Sequence, residues 1–157
     1  MHSDIIELGY DPIKTDERVD EFSFYENFVG TIADYVDEIT EESDRKERIK
    51  YFVGSIGQEK EIVTFDEKAE TITFSENAKR LYFKNAYYEF MSMTLKLTLS
   101  DFAKADLKPH RLSKLIENKY DYYVYIDGSY HTLDYFMRII AEPNKPYYFG
   151  GVVRYNF

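Results

Sequence analysis

The hydrophobic period of this chain changes at Glu61, and that change restricts it to folds that mix helices with a sheet. Before Glu61, Phe24, Phe28, Ile32, Tyr35, Val36 and Ile39 recur at intervals of three or four, which predicts a helix over about 20–40. At ~100° per residue they share one half of a helical wheel with Tyr25 and Val29. Ile49, Phe52, Val53 and Ile56 predict a second helix after Ser43, stopped by Gly57. Then the β-branched and aromatic runs Ile62–Phe65 and Thr71–Phe74 predict a hairpin over about 61–74. A long helix is expected next, opened by Ser75 and carrying Leu81, Tyr82, Tyr88, Met91 and Leu95. Two shorter helices follow, one capped by Thr98 and one with Pro109 near its start. Strands are expected at about 121–127 and 147–155, the latter a strand pair or one bent strand with Gly150-Gly151 as the bend, and a Thr132-capped helix to Ile140 lies between them. The expectation is one α+β domain over 1–157, several helices packed on a small, mostly antiparallel sheet.

Charge is distributed unevenly along the chain. Residues 1–44 hold fourteen carboxylates against Lys14 and Arg18, a net of −12, whereas the whole chain carries −9. On the expected N-terminal acidic helix, Glu26, Asp34, Asp37, Glu38 and Glu41 would stand opposite the apolar stripe, and Glu42 joins them in the expected partner-binding acidic face. Carboxylates three and four apart on a helix lie ~5–6 Å from one another and repel by a few tenths of a kcal/mol per pair. That spacing resembles the run of phosphates along a nucleic-acid strand. The basic run Arg45-Lys46-Glu47-Arg48-Ile49-Lys50 could match some of the acidity internally.

Catalytic equipment is sparse. The absence of cysteine excludes disulfides, thiolate metal ligands and a cysteine nucleophile. His2, His110 and His131 stand in no metal-ligand spacing, so no metal and no cofactor is expected. Asp127, Ser129 and His131 alternate in the manner of hydrolase residues. Neighbours two apart on a strand are ~6–7 Å apart, too far for a nucleophile to bond its base, and a turn entering a helix explains them better. Gly150-Gly151 lacks the further glycines of a phosphate cradle.

Tyrosine is abundant, sixteen residues, and it crowds the last third of the chain. Tyr122, Tyr123 and Tyr125 sit on one expected strand, where partly exposed rings would suit a protein interface and could let two copies pair as a homodimer. The first residues lack the basic start and apolar run of a signal peptide, and no stretch approaches a bilayer span, so the expected setting is the cytoplasm.

Together these features point to a small non-enzymatic interaction protein. Its acidic face and Tyr122, Tyr123 and Tyr125 would bind and inhibit a larger basic protein that handles DNA or RNA. No direct contact with nucleic acid or membrane is expected, since a net acidic chain is repelled by both. Anti-restriction and anti-CRISPR inhibitors of phages and mobile elements use this physical logic, an analogy of charge only. Two alternatives are a nucleic-acid-binding module that uses the Tyr-rich sheet, and a hydrolase or transferase with a dispersed site drawing on carboxylates such as Glu59, Glu61 or Asp127.

Overall fold

A computed structural model of the chain describes residues 1–57, 61–104 and 107–157. Its centre is a seven-stranded sheet formed by β1 (His2–Gly9), β2 (Tyr35–Glu38), β3 (Val63–Asp66), β4 (Thr71–Phe74), β5 (Tyr123–Ile126), β6 (Ser129–Thr132) and β7 (Pro146–Asn156). The order is β3-β4-β7-β1-β5-β6, and β2 pairs with the second half of β7 while β4 pairs with the first. Among the paired strands of the described residues, only β1 and β5 run parallel. Helices α1 (Glu42–Ile56), α2 (Ala78–Lys96), α3 (Leu99–Ala103), α4 (Leu107–Ile116) and α5 (Leu133–Tyr135) complete the fold, with α5 running on as a π-helical turn over Phe136–Ile140. The architecture is α+β, as the change of period implies.

Both faces of the sheet are covered, and by different means. On one face α1 and the α5 turn bury Ile6, Leu8, Ile49, Phe52, Val124, Phe136, Phe149 and Val152. On the other, Phe24, Phe28 and Ala33 pack against Ile5, Tyr123, Val153 and Tyr155. A central strand buried on both sides shows no polar–apolar alternation. Asp4-Ile5-Ile6-Glu7-Leu8 is such a run, which is why β1 escapes a reading by period.

The expected helix over 20–40 is absent. Residues 21–24 form one 3-10 turn, irregular turns follow, and Tyr35–Glu38 is strand β2. Three causes are visible. The Asp20 carboxylate caps only the short turn, accepting from Ser23 N–H at 3.2 Å. Gly30 adopts φ +82°, which no helix interior contains. The Phe28 carbonyl accepts from the amides of Thr31, Ile32 and Ala33, tightening the chain into a loop. Phe28 and Val36 still share a core, but Ile39 packs on the opposite face of the sheet. The N-terminal acidic segment is thus an irregular cover with a strand, and strands occur at both ends of the chain.

Elsewhere local signals agree with the observed elements. Gly57 ends α1 with its N–H on Val53 O at 3.1 Å. Thr98 and Asp101 form a reciprocal capping box, and the Thr132 hydroxyl accepts from Tyr135 N–H. Ser75 does not cap α2 with its side chain: Asn77 holds the cap position, and the Ser75 hydroxyl is buried without a partner among the described residues. Pro109 falls in the first turn of α4. Asp127 and Gly128, at φ +51° and +75°, make the tight β5–β6 turn, so Ser129–Thr132 is a strand instead of a lead-in to a helix.

Gly150 and Gly151 form a bulge within one continuous strand. Ile6 faces Val152 and Leu8 faces Phe149, so two glycines oppose the single residue Glu7. A Cβ at Gly150 would fall inside the Glu7 carboxylate, and one at Gly151 would overlap Val19 O. Only glycine fits there.

Candidate interaction surface

The surface of interest begins with how residues 10–44 are held to the sheet. Glu7 is 8% exposed, and its Oε2 accepts from Gly151 N–H at 2.6 Å and Val19 N–H at 2.9 Å. It ties the acidic cover to the bulge, and two amide donors satisfy the buried charge. Next to it lies Arg45, 2% exposed, on the first turn of α1. Its Nε donates to Gly150 O at 2.7 Å and its Nη2 to Phe149 O at 3.1 Å. Its Nη1 reaches Glu42 at 2.7 Å and Glu70 at 3.0 Å, and Arg18 bonds the other Glu42 oxygen at 2.7 Å. The planar five-donor guanidinium suits such a junction in a way lysine cannot. Burial presses the Glu42 carboxyl upward, but Arg18 and Arg45 outweigh it and hold its pKa below the ordinary value.

The basic run at 45–50 therefore does neutralise part of the acidity. Arg48 bonds Asp4 at 2.6 Å and Lys50 bonds Glu67 at 2.6 Å. Burial raises the Asp4 carboxyl above its usual pKa despite Arg48 beside it.

The remaining carboxylates stay in water. Glu26, Asp34, Asp37, Glu38, Glu41 and Glu42 are all exposed. Among the described residues only Glu42 of these six forms an ion pair. They do not share a helical face. Asp37 and Glu38 are successive strand residues that project to opposite sides of β2, so the phosphate-like helical spacing is overturned. What the fold presents is an acidic edge, because among the described residues β2 has a sheet partner only in β7.

Tyr122, Tyr123 and Tyr125 are placed differently. β5 lies between β1 and β6, so this strand has no free edge for pairing with a second copy. Tyr123 is 3% exposed, and its ring meets Phe28 and Tyr155 edge-on at 5.0 and 5.7 Å. Its hydroxyl donates to Lys119 O, and burial pushes its pKa up to about 12. Tyr125 packs on Phe24, and Tyr122 packs on Phe52 from the helical face. These rings are half-buried or buried parts of the two cores.

Among the described residues no hydrogen bond links Asp127, Ser129 and His131, and no cluster of His, Asp or Glu has the make-up of a metal site. Glu61 and Asp127 are exposed, and Glu59 lies outside the described residues. No helix is long and apolar enough to cross a membrane among the described residues.

A second surface was invisible to pattern reading. Past Phe83, α2 carries exposed Tyr87, Tyr88, Met91 and Leu95, and α3 adds Leu99 and Phe102. The three-four spacing of Tyr88, Met91 and Leu95 reads as a core stripe, yet Leu95 is 83% exposed. Periodicity reports an apolar face without saying whether anything covers it. Compared with protein-family models, curated proteins and solved structures, the chain matches none.

Proposed function

We propose that this chain is a non-enzymatic interaction protein whose acidic surface engages and blocks the basic groove of a larger DNA- or RNA-handling protein. The observation that carries the reading is the set Glu26, Asp34, Asp37, Glu38 and Glu41, exposed and without ion pairs among the described residues. A segment whose carboxylates served only to fold the chain would neutralise them as Glu42 is neutralised by Arg18 and Arg45. A fixed negative field on a strand edge and its flanking loop attracts a basic groove and repels nucleic acid itself. The setting for such a protein is the cytoplasm, where its partner works.

The test is capture of host proteins on the immobilised chain, with and without competing duplex DNA. The expected result is a DNA- or RNA-handling protein that DNA displaces, and that a variant with Asp34, Asp37 and Glu41 changed to Lys no longer holds. A gel shift of nucleic acid by the pure chain, or equal capture by the variant, would overturn the reading.

A further inference from the structure

At the β6 edge of the sheet a cavity of about 470 Å³ opens between the β5–β6 hairpin, Thr31-Ile32 and the segment leading into β5. Its walls include Tyr120, Tyr123, Tyr130, Tyr135 and His131, with Glu117 and Lys119 as its charged groups. Its volume falls in the range of small-molecule sites, which are mostly apolar with a few fixed polar groups.

The walls are held in place before any ligand arrives. The Tyr123 hydroxyl donates to Lys119 O at 3.0 Å and the Tyr130 hydroxyl to Asn27 O at 3.1 Å. The Thr132 hydroxyl donates to Glu117 Oε1 at 2.8 Å, which orients that carboxylate. Two of the rings also stack on a neighbouring ring. Tyr120 stacks on Phe157 at 5.0 Å and 27°, and Tyr135 stacks on His131 at 5.0 Å and 12°. Tyr120 remains 52% exposed and Tyr135 42% exposed, and both line the cavity. Burial lowers the His131 pKa, which favours the uncharged ring with its one donor and one acceptor nitrogen.

We infer that this cavity binds a planar heteroaromatic ring bearing an anionic group, the chemistry of a nucleoside monophosphate. The ring stacks on the exposed rings of Tyr120 and Tyr135, as bases stack on aromatic side chains elsewhere. The carboxylate of Glu117 accepts from an exocyclic amine. The ammonium of Lys119, exposed at the rim, takes the phosphate. A quaternary ammonium cage would also use aromatic walls, but here a lysine shares the rim and repels a cation. Thr31 and Ile32 belong to the loop between Glu26 and Asp34, so the cavity borders the acidic surface, but none of the six acidic residues lines it.

The test is calorimetric titration of the intact chain with adenosine 5′-monophosphate, adenosine and choline. The monophosphate is expected to bind, adenosine about tenfold more weakly, and choline not measurably. Lys119→Ala should bring the monophosphate down to the affinity of adenosine and leave adenosine unchanged. Tyr120→Ala should weaken both about tenfold or more. Tyr135→Ala, which removes the other exposed ring of the lining, gives a second reading of the same stacking. Both rings are partly exposed, and circular dichroism confirms that the variants fold. Absence of monophosphate binding at millimolar concentration, indifference to all three substitutions, or a preference for choline would each overturn the assignment.

Discussion

Glycine and arginine at single positions decide how this sheet is assembled. At the bulge, Gly151 faces the backbone oxygen of Val19, which cannot move aside without releasing the Glu7 anchor. Gly151→Ala should therefore destabilise the chain by roughly 1–3 kcal/mol, the usual cost of overpacking. Gly54 makes the opposite case. It lies within α1, and a Cβ there meets nothing within 4 Å. Gly54→Ala should stabilise by about 0.5–1 kcal/mol through helix propensity alone. Urea denaturation of the two variants checks both signs, and a stabilised Gly151 variant would show that the bulge can relax. Arg45 and Glu7 illustrate what a linear reading misses at this scale. Their partners lie 105 and 144 residues away in sequence, at Gly150 and Gly151, so nothing in their neighbourhood marks them as buried. The signal was only indirect, a glycine pair within an otherwise bulky strand.

At the scale of elements, legibility followed local determinism. The 61–74 hairpin, α1 with its glycine stop and the Thr98 and Thr132 caps are set by nearby residues, and all were readable. The 20–40 segment was misread because its apolar residues are placed by the sheet beneath them. Phe24 and Phe28 dock edge-on against Tyr125, Tyr123, Tyr130 and Tyr155, and that aromatic floor replaces helical hydrogen bonding as the organiser. A comparison of two apolar residues tests this. Phe28 is fully buried at the centre of that floor, so Phe28→Ala should cost about 3–5 kcal/mol. Leu95→Ala, on the uncovered end of α2, should change stability by no more than about 0.5 kcal/mol. Thermal denaturation of both variants distinguishes them. A loss at Leu95 comparable to that at Phe28 would mean that α2 is covered in solution. The candidate site was legible in the same uneven way. Exposure of the acidic residues was foreseen, but their arrangement depended on a helix that does not form. The cavity at β6 draws its walls from positions 31–32, 117–123 and 130–135, which only the folded chain brings together.

At the scale of the whole molecule charge is divided unevenly between segments of the chain. Residues 1–44 carry −12, while 76–119, which include α2, α3 and α4, hold nine basic and five acidic residues. Such a molecule orients in the field of a charged partner before contact, which accelerates encounter far more than it strengthens the docked state. If the acidic edge is the docking surface, association with the captured partner should slow steeply as salt rises, because exposed charges are screened beyond about 8 Å at physiological ionic strength. Reversing Asp34, Asp37 and Glu41 to Lys should slow association at low salt and flatten its salt dependence, with a smaller effect on dissociation. Folding should be preserved, because all three side chains are exposed and form no ion pair among the described residues. Reversing Lys84 and Lys96 on α2 supplies the control. Those residues lie at the basic end, so their reversal should leave the association rate equal or slightly higher. Stopped-flow association rates at two salt concentrations measure all of this. Equal rates and equal salt slopes for the parent and the acidic-edge variant would show that the negative field steers nothing.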